Sequence, residues 1–247
     1  MNFIRIVKFD FFNILRNPAL VISGTIFPII MIAVMGFITT SGYGASSVSS
    51  YDYYGITMII FMALMMAMIA TNSFMEEKVK RGNTRIMYAP ISKTEIYMSK
   101  LLAAYLFGGL CLSLIVLSGQ YIFNINFGRG NIGYVLLLVN ALTFFGCCLG
   151  TLFCCIFKSE QAANSIMQIP ILIFTFLGGT FFSAASLGKL LDKLSNVSPL
   201  KWVTECAFQI IYDRDFSIYL VSILGILAAS MLCILMCQLI FKPEEYV

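Results

Sequence analysis

The chain has no histidine. That excludes H-E-x-x-H zinc sites, Ser-His-Asp triads and histidine proton relays. It also has no G-x-x-x-x-G-K-[ST], so it cannot cradle nucleotide phosphates in the P-loop manner. Charge is the next scarcity. Only 11% of the 247 residues are Asp, Glu, Lys or Arg, whereas 60% are apolar. A soluble domain averages about 25% and about 45–50%. A soluble core of this length cannot hide so much apolar surface, so part of it must face lipid. Cysteines are present but form no disulfide framework. Cys111, Cys147, Cys148, Cys154, Cys155, Cys233 and Cys237 fall in apolar runs, and Cys206 is expected outside them without a partner. Cys147, Cys148, Cys154 and Cys155 sit beside Gly146 and Gly150, a small-xxx-small pattern that lets helices approach closely. They read as packing residues, and no metal site is assigned.

The intervals without charge are 17–51, 53–75, 101–128, 130–157, 161–188 and 216–241. Each can hold a crossing helix, which needs about 20 apolar residues to traverse about 30 Å of hydrocarbon. The runs are continuous rather than alternating, which favours helices over barrel strands. The expected fold is one all-α integral membrane domain over 1–247, with six spans near 19–39, 53–75, 99–121, 133–156, 163–182 and 217–240. With alternating loops, eleven Lys and Arg fall on the side of the termini and five on the other. That bias predicts both termini in the cytoplasm. The first run lacks a small-residue cleavage site and is not read as a removable signal peptide.

Residues 1–17 read as an amphipathic helix lying in the cytoplasmic interface. At about 100° per residue, Phe3, Ile14, Val7, Phe11, Ile4 and Leu15 form one stripe, with Arg5, Lys8, Asn13 and Arg16 opposite, toward headgroups. Asn17-Pro18 supplies an N-cap and an N1 proline for the first span. Residues 40–52 are a flexible Gly/Ser-rich external connection, and Phe123–Asn131 a second external turn. Residues 183–215 are too charged to span but carry helical apolar spacing. They read as two short external helices at the outer interface or re-entering the membrane, the second capped by Ser198-Pro199 and bearing Trp202.

Nine of the 28 charges fall between Glu76 and Lys100. The local signals there are explicit. Glu76 to Arg81 carries the second span's helix out of the lipid, Gly82 and Asn83 break it, and Thr84 caps a short helix to Tyr88. Pro90 stops that helix, and Ser92-Lys-Thr-Glu95 is a capping box for the helix feeding the third span. The 76–98 loop therefore reads as a folded elbow. A plain basic loop that fixes topology would need neither the glutamates nor the breaks.

This segment, "EEKVKRGNTRIMYAPISKTEIYMSKLL", resembles the loop of ABC-2 type transporter permeases, E-K-E-R-G-T-x-R-x-L-x-x-x-P-[IV]-S-x-x-E-x-x-x-x-K. Glu77, Lys78, Arg81, Gly82, Thr84, Arg85, Pro90, Ser92, Glu95 and Lys100 match, with Asn83 as an insertion. "LGGTFFSAASLGKLLDKLSNVSPLKWVTECA" is similar to the family's stretch before the last span, with Gly178, Phe182, Leu187, Pro199 and Leu200 in place and Gly188 where proline is common. The resemblance implies the transmembrane subunit of an ATP-driven exporter in a bacterial cytoplasmic membrane. It implies a loop, Glu76, Glu77, Lys78, Arg81, Gly82, Thr84, Arg85, Ile86, Met87, Tyr88 and Pro90, docked on a separate ABC ATPase. Two ATPase copies and a second permease chain, identical or paralogous, would complete the assembly. ATP and Mg2+ would bind the ATPase, and no cofactor this chain.

Away from their edges the spans are read as free of Asp, Glu, Lys and Arg, groups that ion-coupled transporters use to bind their coupling ion. An outside energy source is therefore expected. A self-contained secondary transporter or channel stays open, because Pro28 and Pro170 break two spans and broken helices can bind ions by backbone. So does an intramembrane enzyme or scaffold. A methionine-rich second span, with Met58, Met62, Met65, Met66 and Met68, suits either varied apolar ligands or gap-filling. The resemblance implies that the second and fifth spans face the partner permease, which would set Thr71, Asn72, Asn164 and Gln168 close to a central cavity; Met62, Met65 and Met66 of the methionine-rich span are candidates for the same pathway. A lipophilic drug, antimicrobial peptide or lipid-linked substrate would fit. Nothing suggests nucleic acid.

Overall fold

The structure is a computed structural model and describes residues 3–40, 48–75, 93–181, 195 and 198–241. Every regular element among them is helical. In chain order these are α1 (Phe3–Arg16), α2 (Pro18–Gly24), α3 (Ile26–Ile38), α4 (Ser50–Met75), α5 (Lys93–Tyr121), α6 (Ile132–Phe157), α7 (Glu160–Leu177), α8 (Pro199–Phe208) and α9 (Tyr219–Ile240). A 3-10 turn, Arg129–Asn131, precedes α6, and a π turn, Gln209–Asp213, follows α8.

Five stretches are helical, long and apolar enough to cross a membrane: Pro18–Ile38, Ser50–Met75, Thr94–Tyr121, Arg129–Phe157 and Tyr219–Ile240. They coincide with the first four expected spans and the last. The remaining one is α7, whose first half carries Glu160, Gln161, Asn164 and Gln168 and lowers its hydropathy. This helix still runs the depth of the bundle. Asn164 meets Asn72 of α4 at 2.9 Å, and the Gly179 carbonyl past its other end accepts from Tyr53 Oη at 2.6 Å. The α4 stretch between those partners is about 28 Å long at about 1.5 Å per residue.

The bundle has two ends. At one, which we term the near end, α1, the last turn of α4, the first turns of α5 and α7, and Phe241 after α9 come together: Phe241 packs edge-on against Phe74 and Tyr97. At the far end, Asp52 Oδ1 accepts from Asn126 N at 2.7 Å, and Gln120 Oε1 accepts from Phe127 N and Arg129 N at 2.8 and 3.2 Å. These bonds pin the 123–131 turn, where Asn124, Gly128 and Arg129 have positive φ.

Helix α4 is the axis: 89% of its most apolar stretch is buried, against 22% for α9. Its closest neighbour is α6. A Cβ at Gly146 would lie 2.7 Å from the Ala63 carbonyl oxygen, and one at Gly150 would clash with that of Ala67. The two glycines let the backbones touch, as the small-xxx-small pattern predicts. Cys147 and Cys154 point their thiols at the Met66 and Thr71 carbonyls, at 3.9 and 3.8 Å.

Several expectations need correction. The first span is two helices. Pro28 lacks the N–H that would bond the Gly24 carbonyl, and the chain bends at Thr25 (φ −122°, ψ −64°). The Thr25 hydroxyl turns back onto Val21 O at 2.6 Å. Pro170, by contrast, stays inside a continuous α7. Asn17 caps α2 as expected, accepting from Ala19 N at 3.2 Å. Ser50 to Asp52 belong to α4 rather than to the preceding connection, because Ser49 Oγ caps the helix by accepting from Asp52 N at 3.1 Å. Helix α5 starts at Lys93, directly after Ser92 as the capping box places it, and so encloses Lys100. Ser198 precedes α8 but does not cap it; its hydroxyl donates to Phe174 O at 2.7 Å and ties α8 to the end of α7. Cys206, outside the apolar runs as expected, is buried.

The inward face of α1 is also rotated from the expected stripe. Ile6, Asp10 and Ile14 are buried, while Ile4 and Leu15 stand 76% and 43% exposed. The helix packs its Ile6–Asp10–Ile14 line on α5. Ile4, Phe12 and Leu15 are left on the outside with Arg5, Lys8 and Arg16, where Lys8 Nζ lies 6.0 Å from the centre of the Phe12 ring.

Candidate functional site

From Tyr54 to Met75, α4 is buried except at Met65, Met68 and Asn72. Their spacing of three and four residues places them on one line of the helix. On one side of that line, between α4 and the helices α2 and α3, lies a cavity of about 220 Å³. Leu20, Ser23, Phe27, Met62, Met65, Met66 and Asn72 line it. On the other side lies α7. Asn72 Oδ1 accepts from Asn164 Nδ2 at 2.9 Å; turned over, the same position becomes Nδ2 and instead reaches Glu160 Oε1 at 3.0 Å and Met68 O at 3.2 Å. Gln168 Nε2 approaches Met68 Sδ at 3.5 Å. A deformable methionine wall thus meets a short amide ladder. Such a wall accommodates apolar groups of varied shape, and the amides hold a few fixed polar contacts.

Of the expected pathway residues, Met62, Met65, Met66 and Asn72 share the cavity, and Asn72, Asn164 and Gln168 share the ladder. Thr71 faces the other way. Its hydroxyl donates to Ala67 O at 3.0 Å and approaches Gly150 O at 3.5 Å, inside the α4–α6 contact. Glu76, Glu77, Lys78, Arg81, Gly82, Thr84, Arg85, Ile86, Met87, Tyr88 and Pro90 lie outside the described residues, as do the expected short helix and its breaks.

The near end holds a group that the sequence reading missed. Lys100 Nζ is 3.3 Å from Asp10 Oδ1, and each side chain is only 2% exposed. Nζ also approaches Ser73 O at 3.4 Å, and Ser99 Oγ donates to Asp10 Oδ2 at 3.4 Å. Burial pushes the Asp10 carboxyl above its usual range; the Lys100 charge and the hydrogen bonds from Lys100 and Ser99 pull the other way. The span reading that excluded charge is corrected here, since Lys100 sits within α5. A signal was available. Asp10 is the only acid before Asp52, and it interrupts the apolar face of α1.

Asn72 and Ser73 are adjacent yet serve different clusters, the first toward α7 and the second toward α1 and α5. Both clusters flank the last turn of α4, where the chain enters 76–92. A family of proteins described as ABC-2 type transporter matches residues 1–212. No curated protein matches the chain.

Proposed function

The chain belongs to the ABC-2 type transporter family, and from that we propose that it is the membrane-spanning subunit of an ATP-driven exporter. The observation that carries the reading is the family match over most of the chain, which includes the charged 76–98 loop. Two copies, identical or paralogous, enclose the pathway, and two ABC ATPase subunits drive it with ATP and Mg2+. Helix α7 is the sixth crossing, with its polar half toward the pathway rather than toward lipid. Its outward residues Ile166, Ile169, Leu172, Ile173 and Phe176 are exposed, and they meet the second permease. The Met65–Met68–Asn72 line, the adjoining cavity and the amide ladder contribute to a pathway for a lipophilic drug, antimicrobial peptide or lipid-linked substrate. Glu76 to Pro90 docks on the ATPase, with Glu77, Arg81 and Arg85 as charged contacts and Ile86, Met87 and Tyr88 as the apolar knob. Both termini lie in the cytoplasm of a bacterial cell.

The test is co-expression with a candidate ABC ATPase, followed by reconstitution. The two subunits co-purify, and Arg85→Glu and Gly82→Val preserve insertion while transport falls. Gly82→Val acts by disfavouring a left-handed turn. Normal transport by both variants would reduce the segment to a topology signal.

A further inference from the structure

Lys100 lies about two turns into α5, and Ser73 lies in the last turn of α4. These are the two helix ends that flank residues 76–92. One ammonium group joins both to α1: it contacts Asp10 Oδ1 at 3.3 Å and Ser73 O at 3.4 Å, while neighbouring Ser99 holds the second carboxylate oxygen at 3.4 Å. We propose that the Asp10–Lys100 pair is a positioning clamp that makes α1 and the ends of α4 and α5 move as one body when the ATPase pushes on the segment between them. The inference rests on the coupling role given to 76–90 above.

A plain stability role accounts poorly for the arrangement. Buried ion pairs gain little over well-packed apolar residues, because desolvation consumes most of the attraction. Contacts of 3.3–3.4 Å are also long for charge-assisted hydrogen bonds. What the pair supplies that an apolar contact does not is direction. It fixes the register of three helix segments at a single point, where apolar side chains would let them slide. Asp10 and Lys100 are positioning residues, since neither touches substrate or nucleotide.

The test separates register from stability. Asp10→Leu/Lys100→Met removes both charges and keeps the volume apolar. Asp10→Lys/Lys100→Asp exchanges them. Each is assembled with the partner ATPase, carrying a spin label at Trp202→Cys, whose native side chain is 52% exposed. The readout is the inter-protomer label distance before and after trapping with ATP, Mg2+ and orthovanadate. The expected result is an assembled, ATP-hydrolysing Leu/Met variant whose trapped distance shift falls about three- to tenfold, with the exchanged pair recovering at least half of it. A full shift in the Leu/Met variant, beside a lost shift in Arg85→Glu, overturns the clamp and leaves the transporter reading intact. A reduced shift that the exchanged pair does not recover also overturns it, as does failure of both variants to assemble. Absence of any shift in the unmodified complex overturns both readings.

Discussion

Gly150 and Gly225 sit in similar apolar helices and should respond oppositely to a side chain. At Gly150 the new atom would meet the backbone carbonyl of Ala67, which cannot turn aside, whereas nothing lies within 4 Å of a Cβ at Gly225. Gly150→Val is expected to lower the thermal midpoint of the purified protein by an amount equivalent to about 3 kcal/mol, the upper end of overpacking. Gly225→Ala should leave it unchanged or raise it by up to about 1 kcal/mol. The buried pair gives a second contrast. Lys100→Met strands the Asp10 carboxylate and should cost about 3–5 kcal/mol at neutral pH, most of which Asp10→Leu then restores. The pH dependence follows in sign from the raised Asp10 value. An acid that binds its proton more tightly when folded contributes fully below its unfolded value and loses that contribution as pH rises through the folded one. The Lys100→Met deficit, measured by thermal unfolding, should therefore shrink on acidification. A deficit that grew would contradict the assignment.

Elements were legible where a single local signal governs them. The charge-free runs located the membrane helices because a charge in hydrocarbon is costly, and Asn17-Pro18 marked the start of α2. Three features escaped because they depend on tertiary partners. Pro28 and Pro170 look alike in sequence, yet only the first accompanies a bend. The inward face of α1 turns toward Asp10 because Lys100, 90 residues later, neutralises it; a helical wheel alone shows an acid at the edge of an apolar stripe but not its partner. The central place of α4 does not follow from composition either, since α9 is more apolar than α4 and lies at the periphery. The resemblance grouped Thr71 with Asn72, Asn164 and Gln168, and only the tertiary neighbour α6, which occupies Thr71's side of α4, separates it from them. The same logic predicts which helix meets a second copy. In the proposed dimer, α7 is expected to face its counterpart and α9 to face lipid. Ile173→Cys, 52% exposed on α7, should cross-link to a dimer under mild oxidation, and Leu235→Cys, 52% exposed on α9, should not. The reverse pattern on a non-reducing gel would require a different pairing.

At the scale of the whole molecule, the question is which end of the bundle faces the cytoplasm. The near end gathers α1, the two helix ends beside 76–92 and the short 158–159 connection, and it holds the exposed Arg5, Lys8, Arg16 and Lys158. Far-end basic residues are fewer: Arg129, Lys201 and Arg214 among the described ones. Lys and Arg near span ends favour the cytoplasmic side, so the near end is expected inside. Exposed positions at the two ends test this directly. Seven of the eight native cysteines are buried and Cys111 is partly so, which keeps background labelling low. An impermeant maleimide added to intact cells should label Phe123→Cys and Arg214→Cys. It should label Lys158→Cys only after the membrane is opened. The three sites lie outside the helices that pack against α4, so the substitutions should not disturb the fold. Labelling of position 158 in intact cells would invert the molecule and turn 76–92 away from any cytoplasmic ATPase, removing the basis of the coupling mechanism as well as of the orientation.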